Sequence, residues 1–226
     1  MKVLKLKLFQ ETACYKKPFA FKVGETYPLP PYSTVKGMLH RILKVEEGSP
    51  PVPMRISIQG NYESKFVNYQ SMYFYKSKEI TKMPLNMHLL YNVHLIIHVD
   101  ASEETLEGII EGLKNLDEHL SLGRKEDLVR VDEVKYVKVG SFVPYAESRS
   151  YIIKNPIYIP LDSLSSDIND GINYRLNWKY EVVNGLRQWK KIDVKYVEEG
   201  TEITDEVQVD DDGEPGDLVY FNTTLF

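Results

Sequence analysis

Apolar and polar residues alternate strictly from Val3 to Phe9. Leu4, Leu6 and Leu8 fall on one side and Lys5 and Lys7 on the other, which is the pattern of a half-buried strand. A long loop over 11–32 follows. Val35, Met38, Leu39, Ile42 and Leu43 then recur at helical spacing and predict a helix over 34–44. The stretch 48–53, Gly-Ser-Pro-Pro-Val-Pro, is a turn-rich break. Strands are predicted over 55–60 and 69–75, separated by a polar turn. The clearest strand is 89–99, where Tyr91, Val93, Leu95, Ile97 and Val99 share a side. A second helix over 103–120 carries the apolar stripe Leu106, Ile109, Ile110, Leu113, Leu116 and Leu120. It starts at Ser102, with Thr105 rather than an acid at the capping-box position. Residues 132–140 form another strand, and 218–221 a last one. The order strand, helix, strand, strand, helix, strand is that of the split βαβ unit. The expected class is therefore α+β, a ferredoxin-like or RRM-like βαββαβ domain, with no internal repeat beyond the pseudo-symmetry that order implies.

The start of the first helix has unusual residues. Pro28, Pro30 and Pro31 impose an extended approach, and Ser33 or Thr34 offers a side-chain oxygen as a cap. A capping box would place Glu or Gln three residues after Ser33, but the chain has Lys36 there. A cation in a first turn opposes the helix dipole, and Gly37 costs about 1 kcal/mol against Ala. Two readings fit. In one, an anion approaches the helix start, meeting free N–H groups and Lys36. In the other, this is a mediocre helix whose Gly37 allows close packing.

The run Thr26-Tyr-Pro-Leu-Pro-Pro-Tyr-Ser-Thr-Val-Lys-Gly-Met-Leu resembles the N-terminal signature of the CRISPR-associated Cas five family, type I-B members especially. A second segment, Leu120-Ser-Leu-Gly-Arg-Lys-Glu-Asp-Leu-Val, is similar to that family's Leu-Gly-Arg-x-Glu-Asp motif. The order and spacing of the two agree over about the first 140 residues. The resemblance implies a non-catalytic RNA-binding subunit of a type I surveillance complex (Cascade) in antiviral defence, of the RAMP superfamily. Such a subunit grips the 5′ handle of the guide crRNA and caps the row of backbone subunits. Its partners would be the crRNA, the large subunit, the first backbone subunit and, indirectly, target DNA. Lys16, Lys17, Ser33, Lys36 and Arg41 are the expected phosphate and sugar contacts, with Gly123, Arg124 and Lys125 on a second loop and Tyr32 stacking on a base.

That second loop follows the second helix. Gly123 sits where a C-terminal cap takes a positive φ, and glycine-bounded loops present N–H groups to anions. The plainer reading is a capped helix with Arg124 and Lys125 at its negative dipole end. Between the two motifs, Tyr62, Phe66, Tyr69, Tyr73, Phe74 and Tyr75 are interleaved with Lys65, Lys76, Lys78 and Lys82. Stacking faces alternating with phosphate-binding cations are how single-stranded RNA is held, although aromatic residues also favour strands. By the resemblance, about 60–88 would be a projecting hairpin thumb.

Charge supports this picture only weakly. Residues 1–60 carry 10 Lys or Arg against 4 acids, and 151–226 carry 7 against 15, within a net −5. A basic first half suits a polyanion and an acidic end suits basic partners. The length of 226 residues fits one domain, or a domain over 1–140 with a small β-rich acidic lobe over 141–226. Cys14 is the only cysteine, so no internal disulfide forms, and a reducing cytoplasm is expected. No export signal or membrane span is expected, and Asn222-Thr223-Thr224 is read as a chance glycosylation match.

Catalytic signatures are sparse. The chain has no nucleophile elbow, Walker loop or cysteine pair. His94 and His98 share a strand face but lie about 13 Å apart, too far for one metal ion. A metal-free ribonuclease would need a base near a 2′-OH and cations for the phosphate, and Tyr32, Lys36 and His40 are the residues that would serve. One branch of the resembled family uses a Tyr-Lys-His set of this kind, but no adjacent Lys-His pair occurs here. Neither metal nor cofactor is expected. The run 210–217, Asp-Asp-Asp-Gly-Glu-Pro-Gly-Asp, departs from the EF-hand pattern. It is expected to be a solvated turn, on a lobe facing a neighbouring subunit. A guide-processing ribonuclease and a scaffold that binds no RNA are the alternative readings.

Overall fold

The structure, a computed structural model, describes residues 1–18, 23–46, 48–77, 79–144, 150–164 and 168–222. Its elements in chain order are β1 (Lys2–Ala13), β2 (Val23–Gly24), α1 (Tyr32–Ile42), β3 (Arg55–Tyr75), β4 (Ile80–Asp100), α2 (Glu103–Lys114) and β5 (Arg130–Phe142). They continue with β6 (Tyr151–Ile152), β7 (Ile157–Pro160), a 3₁₀ turn at Leu161–Ser163, β8 (Ile172–Val183), β9 (Leu186–Val197), β10 (Glu202–Ile203) and β11 (Val207–Asp210). Among the described residues nine strands form one sheet in the order β11-β5-β1-β4-β3-β7-β9-β8, with β2 joined to β4 in parallel.

This corrects the expected fold class. Of the described residues 53% are strand and 12% helix, and the sheet curls into a half-barrel rather than closing as a βαββαβ ferredoxin-like α+β unit. Two features of the chain account for the difference. First, β3 runs unbroken for 21 residues, so no polar turn separates 55–60 from 69–75, and β4 begins at Ile80 rather than at 89. Second, β7, β9 and β8 continue the sheet beyond β3 through the pair Gln59–Ile157. The segment 218–221 makes only an isolated bridge, Leu218 to Val209, and is not a strand.

Strand alternation places Leu4, Leu6 and Leu8 in the main core with Val35, Leu39 and Ile42 of α1 and Leu106 and Ile109 of α2. Helix α2 ends at Lys114, not 120. Asn115 closes it, and Leu120 and Leu122 re-enter the core from the loop beyond.

The opposite face of β1 is not solvated. Residues 210–222 fold across it, with Val219 and Phe221 packed on Val3, Val137 and Val139. The Gln59 side chain donates to the Leu218 carbonyl at 2.7 Å, and the Tyr220 N–H donates to Ser57 Oγ at 3.0 Å. Lys5, expected on a wet face, has 0% exposure and meets Asp210 at 2.6 Å, Asp217 at 2.7 Å and Asp212 at 2.9 Å. His98 Nε2 lies 2.8 Å from Asp210, and Lys135 meets Asp212 at 2.7 Å. The acidic run is thus folded inward as a clasp, so the expectation of a solvated turn is corrected. Burial alone would lower the Lys5 pKa, but the hydrogen bonds that its ammonium donates to Asp210, Asp217 and Asp212 raise it above the usual lysine range. Burial would raise Asp210, and the bonds to His98 and Lys5 instead hold it down at about 2. No helix among the described residues is long and apolar enough to cross a membrane.

Candidate nucleic-acid interface

Three surfaces hold the residues that the sequence singles out. The first is α1 and what faces it. The prolines deliver the chain so that the Pro31 carbonyl accepts from Thr34 and Val35 N–H at 2.9 and 3.2 Å, and the helix opens at Tyr32. Ser33 and Thr34 therefore lie inside the first turn, and neither caps it with its side chain. Tyr32 is fully buried, edge-on to Trp178 (centroids 6.0 Å apart) and tilted against Tyr158 (6.3 Å), so it presents no face to a base. Nothing lies within 4 Å of a Cβ built on Gly37, so close packing does not explain that glycine.

Lys36 is 5% exposed, and its ammonium sits 4.6 Å from the centre of the Trp178 ring, with no carboxylate in ion-pair range among the described residues. Burial first, and Lys179 second, lower its pKa to about 8. His40 Nε2 accepts the Val52 N–H at 3.2 Å, and burial and Lys36 both lower the imidazole pKa.

Opposite them stands the β8–β9 hairpin. Its turn is Asn184-Gly185, with φ of 52° and 74°, the double positive φ of a type I′ connection. Arg187 lies 4.6 Å from the Tyr180 ring, and Tyr180 meets Trp189 edge-on at 5.2 Å. Ser33, Lys36 and His40 on one wall and Trp178, Lys179, Arg187 and Trp189 on the other enclose a cavity of about 680 Å³. The sequence reading named none of these hairpin residues. The available signal was Asn-Gly between Trp-Lys-Tyr and Arg-Gln-Trp-Lys-Lys, a hairpin turn flanked by rings and cations.

The second surface is the 120–129 loop. Gly123 takes φ +109°, and a Cβ there would sit 2.9 Å from both the Cys14 carbonyl and Asp127 Oδ2. Asp127 is fully buried. It accepts the Cys14 N–H at 3.0 Å, the Arg124 N–H at 2.8 Å and the Arg124 guanidinium at 2.6 Å. The loop does bind a carboxylate through its N–H groups, and that carboxylate is the chain's own. Arg124 is also 3.0 Å from Glu126, so it is largely engaged. Lys16 and Lys125 remain exposed, while Lys17 pairs with Glu25 at 3.2 Å. The loop thus gathers Lys16, Gly123, Arg124 and Lys125 at the end of β1. Arg41 is held by Glu118 and shares a separate groove with Lys125 and His119.

The third surface is the outer arm of the β3–β4 hairpin, where β1 has left the sheet and, apart from β3 itself, only β2 pairs with β4 among the described residues. Tyr69 is 70% and Tyr75 79% exposed, with Phe66, Tyr73 and Phe74 also exposed. Lys65 and Lys82 accompany them, Lys82 lying 5.7 Å from the Tyr73 ring, and Lys76 pairs with Glu79 at 3.2 Å. Tyr62 is packed against the main core instead, and Lys78 lies outside the described residues. His94 rests on Phe9 at 5.1 Å while His98 is tied into the clasp, so the two are not joined in one site.

An open-edged antiparallel sheet carrying two ring-and-cation arms is the architecture into which these surfaces fit. The profile of the CRISPR-associated protein (Cas_Cas5) family matches residues 3–182, and the chain belongs to that family. Its role is CRISPR-associated. Among solved structures, a chain of a CRISPR RNA-guided surveillance complex superposes with a TM-score of 0.58 at 15% identity, covering 89% of this chain and 90% of that one. A CRISPR protein from Archaeoglobus fulgidus gives 0.46 at 13% identity, with 92% and 91% covered. A chain of a Type III-B Cmr-beta complex bound to cognate target RNA gives 0.42 at 13%, with 92% and 86% covered. At 15% identity the likeness to the surveillance-complex chain is one of fold alone. No curated protein matches the chain.

Proposed function

We propose that this chain is a non-catalytic subunit of a type I CRISPR surveillance complex, binding the 5′ handle of the guide RNA and capping the row of backbone subunits. The observation that carries the reading is the β3–β4 arm. Five exposed rings stand beside Lys65 and Lys82 on a hairpin that buries only a small cluster among the described residues, Leu85, Met87 and Leu89 with Cys14. Exposed apolar surface of this extent marks an interaction site, and rings alternating with cations suit unstacked bases and phosphates. Lys16 and Lys125 add free cations beside the second loop. Family membership and the fold shared with a surveillance-complex chain support the same assembly. Neighbours in that reading are the large subunit and a backbone subunit, with target DNA met through them.

Geometry weighs against the processing nuclease. With Nε2 accepting from Val52, the His40 proton sits on Nδ1, and Tyr32 is buried away from any 2′-OH. The test is a gel shift of labelled repeat RNA, with its handle and scrambled, in EDTA. A handle-preferring shift of intact RNA is expected, weakened at least tenfold by Tyr69→Ala with Tyr75→Ala. A discrete cut lost on His40→Ala would make this the nuclease instead, and no shift of any RNA at low salt would leave a protein scaffold.

A further inference from the structure

Lys36 is the feature that the RNA-binding reading of the hairpin arm leaves unexplained. A lysine that is only 5% exposed, with no carboxylate in ion-pair range among the described residues, is held at a cost that a protein ordinarily avoids by pairing it. The clasp shows that this chain pairs buried cations when nothing else is to bind them, since Lys5 has three carboxylates. Around Lys36 the described charges are instead mostly of one sign. Lys179 and Arg187 face it from the hairpin, and the one acid among the described residues of the wall, Glu181, is taken by Lys190. One further buried polar atom of the wall, Trp178 Nε1, has no hydrogen-bond partner among the described residues. The rest of the lining is Trp178, Tyr180, Trp189, Pro50 and Pro51, a ring-rich wall too large for a bare phosphate. Its volume, about 680 Å³, lies within the range of ligand sites.

We propose that the cavity between α1 and the β8–β9 hairpin is a single-nucleotide pocket, in which the exposed rings take a base and Lys36, Lys179 and Arg187 take its phosphate. The proposal rests on the RNA-binding reading and extends it to a second element, distinct from the β3–β4 arm. The nucleotide is either one residue of the guide RNA or a free mononucleotide, since both present the same base and phosphate.

Both tryptophans of the chain line this pocket, so intrinsic fluorescence reports on it alone. The full chain is titrated with adenosine monophosphate, uridine monophosphate, inorganic phosphate and a short single-stranded RNA. Saturable quenching by a mononucleotide or by the RNA is expected, with phosphate alone at least tenfold weaker. Lys36→Met, which keeps a stem over the indole, should weaken it tenfold or more, as should Arg187→Ala on the exposed hairpin should the first variant not fold. Anion binding favours charged Lys36, so affinity should fall as pH rises through about 8. The remaining charged groups of the walls are His40, Lys179, Glu181 and Arg187.

Quenching by RNA but by no mononucleotide places a guide residue in the pocket, and quenching by both places either source there. Absence of quenching by either, equal quenching by phosphate alone, or indifference to both substitutions overturns the pocket. An RNA gel shift with silent tryptophans sinks this inference and leaves the RNA-binding reading standing. Mononucleotide quenching without any RNA shift does the reverse.

Discussion

Two lysines, thirty-one positions apart, are buried in opposite ways. Lys5 lies on the clasp face of β1 among Asp210, Asp212 and Asp217, and its pKa is raised. Lys36 lies over an indole with cations for company, and its pKa is lowered to about 8. The same side chain is thus a rivet in one place and, in the other, part of the wall of the proposed nucleotide pocket. Charge matching goes with the stabilising clasp, and charge mismatch with the place proposed to bind an anion.

The largest effect that would break this contrast concerns Lys5→Met. Removing the cation leaves three crowded carboxylates, and urea denaturation should show a loss of about 3–5 kcal/mol. Lys36→Met removes an unpaired charge and should leave stability unchanged or raised in the same assay. Equal losses in both variants would end the distinction.

The pH dependence sharpens it. Lys36 has a folded pKa of about 8, below its ordinary 10.5, so the unfolded chain holds more protons between those values and stability contributed at this site rises with pH across them. Lys5 runs the other way: its stabilisation is complete below pH 10.5 and is lost as pH rises through its elevated folded value. Denaturation midpoints of wild type and Lys36→Met over pH 7–10 should therefore differ in slope, with the rise present only in wild type and any advantage of the variant shrinking as pH rises.

At acid pH the clasp is the sensitive part. Asp210, held at about 2, contributes in full above its ordinary 3.8, and the contribution is lost as pH falls through about 2. Acid titration of Asp210→Asn, followed by circular dichroism, should lack that limb while starting from a lower stability.

The smallest effects come from two glycines of the helices. Gly37→Ala, with open space for its Cβ, should stabilise by at most about 1 kcal/mol. Gly112→Ala would place a Cβ 2.3 Å from the Ile42 carbonyl and should destabilise, because α2 must move off α1. Thermal denaturation separates the two signs.

The elements β1, α1, the inner half of β4, and α2 were legible because each carries its own period: 2 for β1 and β4, 3.6 for α1 and α2. What no local pattern carries is the company an element keeps. Lys5 and Lys7 read as a wet face, yet one is sealed by residues more than 200 positions away. The stretch between 60 and 69 reads as a polar turn although the strand continues, because this part of β3 is exposed on both faces and has no apolar period to announce it. The fold class failed for the same reason. β7, β8 and β9 extend the sheet through pairings set by tertiary contact, and their own turn signal at Asn184-Gly185 was passed over. At the candidate site, Lys36 and His40 were visible as oddities of a helix start, whereas the wall that makes them a pocket came from the far side of the chain.

The clasp also dictates when the molecule can be finished. Asp217 follows Lys5 by 212 positions, so a ribosome making about 5–20 residues per second needs roughly ten to forty seconds between them. Until then the clasp face of β1, and of β5 once it is made, lacks the cover that Val219 and Phe221 give to Val3, Val137 and Val139. Closing a loop of that length costs about 5 kcal/mol of chain entropy, which the three ion pairs and this apolar packing together offset. The sheet is therefore one-sided until the last residues of the clasp are in place.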